Sequence, residues 1–173
     1  MDKKPCRDSL AVKTAHVLPP DTNNHGTLFG GRLMAYIDDV AAIAAVRHAR
    51  KPVVTASTDS VDFLSPVKEG DSICVEAYVT WTHHTSMEVF IKAVTENLLT
   101  GDRKVCTTAF STFVAIDENG KPDSVPQVYP VSDQEKELHA SAPERADQRK
   151  KRRGHSKEMA ATYGTRYPWN KAD

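Results

Sequence analysis

The sequence predicts an α+β fold in which a mainly antiparallel sheet curls around one long helix. Three observations carry this. Residues 33–50, "LMAYIDDVAAIAAVRHAR", put Leu33, Ile37, Val40, Ala41 and Ala44 on one stripe at helical spacing. After Pro52 the apolar period changes to two and stays there over several segments. Those segments follow one another with no second apolar helix between them, so a single helix must cover the sheet.

The elements are justified in chain order. "SLAVKTAHVL", residues 9–18, is a first strand. The next stretch, "PPDTNNHGTLFGGR", is a polar, glycine-rich loop leading into the helix. Ile43 and Val46 lie opposite the main helical stripe, so the helix is apolar nearly all round and is expected to be buried. "VVTASTDSVDFLSPV" begins the next strand. "DSICVEAYVTWT" alternates Ile73, Val75, Ala77, Val79 and Trp81, and "SMEVFIKAVTE" alternates Met87, Val89, Ile91 and Ala93. "KVCTTAFSTFVAI" is rich in β-branched and aromatic residues, and "NLLTGDRK" before it is a hairpin connection. "DENGKPD" closes this unit, taken as a domain over residues 8–131. The capping-box patterns "SDQE" and "SAPE" predict two short helices, about 133–140 and 142–153, the second ended by Gly154. They form a basic extension over 132–155, and residues 156–173 are expected to be a flexible tail.

The chain has 173 residues, with Lys plus Arg and Asp plus Glu at 23 each. No global field draws it to nucleic acid or membranes, and neither is an expected partner. The three cysteines, Cys6, Cys74 and Cys106, are odd in number and lack metal-ligand spacing, which fits a reducing compartment. The first residues, "MDKKPCRDSL", lack the apolar run of a signal peptide, and no segment approaches the roughly 18 apolar residues of a membrane span. A cytoplasmic protein is expected.

Several residues could carry chemistry. Asp38 borders the apolar stripe of the helix, beside Met34, Ala42 and Ala45. A carboxylate there loses hydration, which raises its pKa and suits a general base. The alternative is an ordinary helix-surface acid. Asp39 points away, beside Arg32 and Val46. Gly30 and Gly31 stand at the helix entrance, where free N–H groups carry partial positive charge and a ligand oxygen can approach. Taken alone, a tight turn is the better account of them. Asn23, Asn24 and His25 are either turn residues or amides that hold a water or carbonyl. His83 and His84 are adjacent, and consecutive strand residues face opposite sides, so one metal is poorly served and no metal site is expected. "RKKRR", residues 149–153, is either a solvated helix face or a partner for a polyanion.

Together these segments resemble a known family. "DTNNHGTLFGG", the acid in "YIDD", "RHARKPVVTASTDSVDF", "THHTSMEV" and the basic "RKKRRGH" are similar, in order and spacing, to the hotdog-fold cytoplasmic acyl-CoA thioesterases. The resemblance covers residues 8 to about 155. It implies one helix wrapped by a five- or six-stranded antiparallel sheet, homodimers joined edge to edge, and trimers of dimers. It implies hydrolysis of fatty acyl-CoA to free acid and CoA, with no cofactor beyond the CoA of the substrate. The family's catalytic acid falls on Asp38 and its catalytic asparagine on Asn23, supplied by opposite subunits. Gly30 or Gly31 would polarise the thioester oxygen. Thr55, Ser57, His84, Thr85 and Ser86 fall where the family lines its CoA groove. Arg149, Lys151 and Arg152 fall on its basic terminus. A hydratase or dehydratase of the same fold, with His25 beside the acid, and a CoA- or nucleotide-sensing module without turnover are the competing readings.

Overall fold

The structure is a computed structural model and describes residues 3–167. A short strand, β1 (Lys3–Pro5), leads through a 3-10 turn at Cys6–Ser9 into β2 (Ala11–His16). A second 3-10 turn at Pro19–Asp21 precedes the long helix α1 (Gly30–Ala49). Four long strands follow: β3 (Val53–Phe63), β4 (Ser72–Thr82), β5 (Ser86–Glu96) and β6 (Arg103–Ala115). A short β7 (Gln127–Tyr129) and the helix α2 (Asp133–Tyr163) complete the order. β2, β4, β5, β6 and β3, in that spatial order, make a five-stranded antiparallel sheet. β1 and β7 form a separate parallel pair.

The helical stripe forms as the period dictates. Leu33, Ile37, Val40, Ala41 and Ala44 are all buried, with Ala45, His48 and Ala49 beside them. They meet the inward sides of the strands, where Ile73, Val75, Ala77, Val79, Met87, Val89, Ile91 and Ala93 are buried in the same core. α1 stops at Arg50, which takes the left-handed conformation (φ 55°) and donates its N–H to the Val46 carbonyl. Pro52 lies two residues on, where the helix could not continue. The expectation that α1 is buried all round is corrected: Met34, Ile43 and Val46 stay exposed, because the sheet covers only one side of the helix.

The chain divides into two compact units between His139 and Ala140. The first capping box forms as read. The Glu135 N–H donates to Ser132 Oγ, and Glu135 Oε2 accepts from the N–H groups of Ser132 and Val131. The expected pair of short helices is corrected to one continuous helix. Ser141 does not begin a second one, since its hydroxyl accepts from the Arg145 guanidinium at 2.7 Å. Pro143 is held inside the helix at the loss of one backbone donor. Gly154 does not end it. The stop is Gly164, whose φ of +61° and N–H bond to the Ala160 carbonyl close the last turn. Residues 156–163, expected to be a flexible tail, are therefore helical. Residues 168–173 of that tail lie outside the described residues.

Candidate active site

The loop before α1 is built by its own polar residues. Asn23 Oδ1 accepts from the N–H groups of His25 (2.9 Å) and Thr27 (3.3 Å) and lies 3.2 Å from Thr27 Oγ1. Its Nδ2 donates to Thr27 Oγ1 at 3.0 Å. Gly26, at φ +71°, makes the turn, and its N–H donates to the Asn23 carbonyl. The loop is latched to the following connection by Leu28 N–H to the Val67 carbonyl and Glu69 N–H to the Gly26 carbonyl. Arg32 Nε pairs with Asp21 Oδ1 at 3.1 Å, and the Phe29 N–H donates to the Asp21 carbonyl. His25 and Asn24 are exposed.

α1 begins without a side-chain cap. The first amides tied back, those of Arg32 and Leu33, both donate to the Phe29 carbonyl. The Gly30 and Gly31 N–H groups therefore stand ahead of the helical ladder, at the positive end of the helix. A β-carbon on Gly31 would lie 2.5 Å from Phe29 Cε1, and one on Gly30 would lie 3.4 Å from Phe63 Cζ. Gly31 is thus a close-approach site, where a side chain would require the Phe29 ring to move, while a β-carbon at Gly30 would be in ordinary van der Waals contact with Phe63. Next to them is an apolar cleft of about 370 Å³, whose walls include Leu33, Phe63 and Leu64. Phe63 and Leu64 were not singled out from the sequence. The only signal there was two large apolar residues in a row at a strand end.

Two turns into the helix, Asp38 Oδ1 accepts a hydrogen bond from Thr55 Oγ1 at 3.0 Å. Within one chain Asp38 is exposed, so the expected loss of hydration is not met there. Among the described residues no hydrogen bond joins Asp38 to Asn23. Asp39 points away as predicted, in an exposed ion pair with Lys13 Nζ at 2.7 Å.

Thr55 and Ser57 do not line one wall. The register places Thr55 opposite Phe113 and Ser57 opposite Thr112, with an irregularity between them. Adjacent strand positions face opposite sides, so the bulge turns Ser57 to the other face. Its Oγ is buried with no hydrogen-bond partner, and so is Thr112 Oγ1. His83, His84 and Thr85 form the turn between β4 and β5. The Thr85 carbonyl accepts from Ala115 N–H, the His84 carbonyl accepts from Val125 N–H, and Ser86 pairs with Val114. Val53 and Val54 pair with those same residues of β6, which brings the turn to the end of the sheet where Thr55 lies. Arg149, Lys151 and Arg152 lie on α2 in the second unit, Lys151 and Arg152 exposed and Arg149 half-buried.

Two thiols are unsuited to nucleophilic work. Burial pushes Cys6 up to about 12 and Cys106 up to about 11. Among the described residues no group of three or more His, Cys, Asp and Glu side chains could hold a metal ion. Nor is any described helix long and apolar enough to cross a membrane.

A long helix against a five-stranded antiparallel sheet, with its first amides free of helical bonds and an acid two turns in, is the arrangement of the hotdog fold. Residues 25–101 match the thioesterase superfamily. The chain is 55% identical over 164 residues, 95% of each protein, to the acyl-CoA thioester hydrolase YkhA of Bacillus subtilis. The crystal structure of an apo-hexameric acyl-CoA thioesterase matches at 51% identity and a TM-score of 0.86, over 88% of this chain and 97% of that one. The acyl-CoA hydrolase of Staphylococcus aureus, solved with butyryl coenzyme A, coenzyme A and coenzyme A disulfide, matches at 44% identity. Its TM-score is 0.89, over 94% of this chain and 99% of that one. That enzyme has also been solved with an aspartate, an asparagine or a threonine replaced by alanine. The spacing of those three positions equals that of Asp38, Asn23 and Thr55 here. This chain belongs to the acyl-CoA thioester hydrolases of the thioesterase superfamily.

Proposed function

We propose that this protein hydrolyses acyl-CoA to the free acid and CoA at a site completed by a second copy of the chain. The observation that carries the reading is the near full-length similarity to proteins named acyl-CoA thioester hydrolases, together with the shared spacing of Asn23, Asp38 and Thr55. Asp38 is the general base. Thr55, bonded to one carboxylate oxygen, holds the group in place and leaves the other oxygen to take a proton from water. The water oxygen attacks the thioester carbon, and the negative charge develops on the former carbonyl oxygen. The Gly30 and Gly31 N–H groups meet that oxygen. Collapse of the tetrahedral species expels the CoA thiolate, and the proton held by Asp38 passes to the thiolate or to solvent. Asn23 orients water or carbonyl across the interface. Support for a shared site comes from the single chain, where, among the described residues, the side-chain bonds of Asn23 stay within its own loop and the hydrogen bond of Asp38 is to Thr55.

CoA is held at the sheet end formed by Thr55 and the turn at His84, Thr85 and Ser86. The family resemblance, not the placement of the second unit, is what assigns Arg149, Lys151 and Arg152, from this or another copy of the chain, to the CoA phosphates. Ser57 contributes only if its buried hydroxyl is uncovered. The working form is a homo-oligomer, a trimer of dimers, as suggested by the hexameric relative. The cytoplasm suits it, because Cys6, Cys74 and Cys106 are all free. The test is release of thiol from a series of acyl-CoAs, followed with a thiol reagent. Hydration of an enoyl-CoA without thiol release would identify a hydratase. Tight CoA binding without turnover would identify a sensing module.

A further inference from the structure

We infer that the apolar cleft beside the α1 entrance receives the acyl chain and that the Phe63 ring sets the chain length accepted. The inference rests on the thioesterase reading above and extends it to substrate class.

The cleft has Gly30 at its head, and Leu28, Leu33 and Val67, each at most 8% exposed, among its lining residues. Phe63 and Leu64 form a wall, 56% and 60% exposed. Phe63 ends β3 beyond a register shift between Asp59 and Asp62 and beyond Ser60, whose φ is +44°. That distortion re-aims the strand end. The ring is thereby stacked over Gly30, close enough that a β-carbon there would be in van der Waals contact with it.

The occupant follows from the lining. No charged side chain lines the cleft, so the nucleotide end of CoA has no counter-charge there. The Gly30 N–H calls for an acceptor oxygen at the head, and the walls, apolar but for Thr27 and Ser65, call for hydrocarbon. A thioester carbonyl followed by an alkyl chain meets both demands. The volume of about 370 Å³ is near the lower end of small-molecule sites, which run roughly 300–1,000 Å³. A short or medium chain therefore fits as the cleft stands, and a longer one must displace the Phe63 ring.

The experiment is kcat/KM for acyl-CoAs from butyryl to palmitoyl, measured on the assembled wild type, Phe63→Ala and Phe63→Trp, with oligomeric state checked by light scattering. Phe63→Ala is expected to move the optimum to longer chains and Phe63→Trp to shorter ones. Each should change the long-to-short ratio by roughly tenfold or more. Inhibition by free CoA is expected to stay unchanged in both. An unaltered profile in both variants overturns the inference, as does a uniform loss at every chain length accompanied by dissociation, which would make the cleft a contact between copies. If Phe63→Ala does not assemble, the Phe63→Trp arm decides. A wild type that hydrolyses no acyl-CoA refutes the thioesterase reading itself, whereas an active wild type with an insensitive profile refutes only this step.

Discussion

Replacing Asp38 by asparagine isolates proton transfer from structure. Asp38 Oδ1 accepts from Thr55 Oγ1, and an asparagine Oδ1 accepts the same bond, so stability should change by less than about 1 kcal/mol. The amide cannot take a proton from water. Loss of a general base costs about 10²- to 10⁴-fold in rate, or roughly 2.7–5.4 kcal/mol in the barrier. The neighbouring Asp39→Asn is the internal control. It breaks an ion pair with Lys13 whose side chains are 40% and 51% exposed, a pairing worth about 0–1 kcal/mol in solvent, and its turnover should stay within about twofold of wild type. The Lys13 ammonium keeps its place over the Tyr36 ring, 5.1 Å from the centroid. Thiol release from a medium-chain acyl-CoA is the assay, with melting temperature and oligomeric state as checks. A folded, assembled Asp38→Asn protein working within about tenfold of wild type would refute the base assignment. Equal damage from Asp39→Asn would show that the assay reads helix integrity instead.

Three further outcomes are expected. Asn23→Ala and Asp38→Asn chains, each inactive alone, should regain partial activity when co-assembled. No recovery in verified mixed oligomers would mean that each chain furnishes both groups of its own site. Deleting residues 149–173 should raise KM for acyl-CoA more at low salt than at high, and leave an acyl-pantetheine substrate unaffected. Equal loss on both substrates would assign the segment to folding or assembly. Burial holds the His48 imidazole below its ordinary range, against the pull of the Pro126 carbonyl that accepts from Nε2 at 2.9 Å. Its Nδ1 has no partner. On acidification the unfolded chain takes up this proton first, so stability should fall as pH drops below about 6.5, by at most about 1.4 kcal/mol per pH unit, levelling off below the folded-state value. Denaturant titrations from pH 8 to 5 on wild type and His48→Gln should show the slope reduced in the variant, and an unchanged slope would refute the assignment.

What could be read from the sequence was what depends on local period. The stripe from Leu33 to Ala44 and the alternation from Ile73 to Ala77 match burial by spacing alone, whereas Ala77–Thr80 and Met87–Ile91 are buried on both faces, which a period of two does not announce. The Ser132–Glu135 capping box is equally local and forms as expected. The failures lie where a distant partner decides. Ser141 and Glu144 repeat the capping pattern, but the Arg145 guanidinium takes the hydroxyl and the helix runs through. The parallel pair of β1 and β7 joins three-residue segments from opposite ends of the first unit, and nothing in either announces the other. The bulge between Thr55 and Ser57 is likewise set by the register against β6, and nothing in the local sequence announces it. For the site, Asn23 and Asp38 stood out from their bland alternatives only through resemblance, since a turn asparagine and a helix-surface acid have the same local sequence.

The same reasoning explains why one chain does not display its own chemistry. Among the described residues the side-chain bonds of Asn23 all stay in its own loop and use one of the two Nδ2 hydrogens, and Asp38 is exposed, with one bond from Thr55. Gly30, proposed to meet the thioester oxygen, lines a cleft with one wall left half in water. Each is what half of a divided site should look like. An acid meant to act on water trapped against a partner need not be desolvated by its own chain, and a second copy laid over the helix would remove it from bulk solvent. The exposed apolar residues of α1, Met34, Ile43 and Val46, need the same cover. On the reading proposed above, assembly would bring burial of an apolar face and activation of Asp38 together: a separated chain is expected to keep its fold and its Thr55–Asp38 bond and to lose thiol release, and a separated, folded chain with full turnover would refute the shared site.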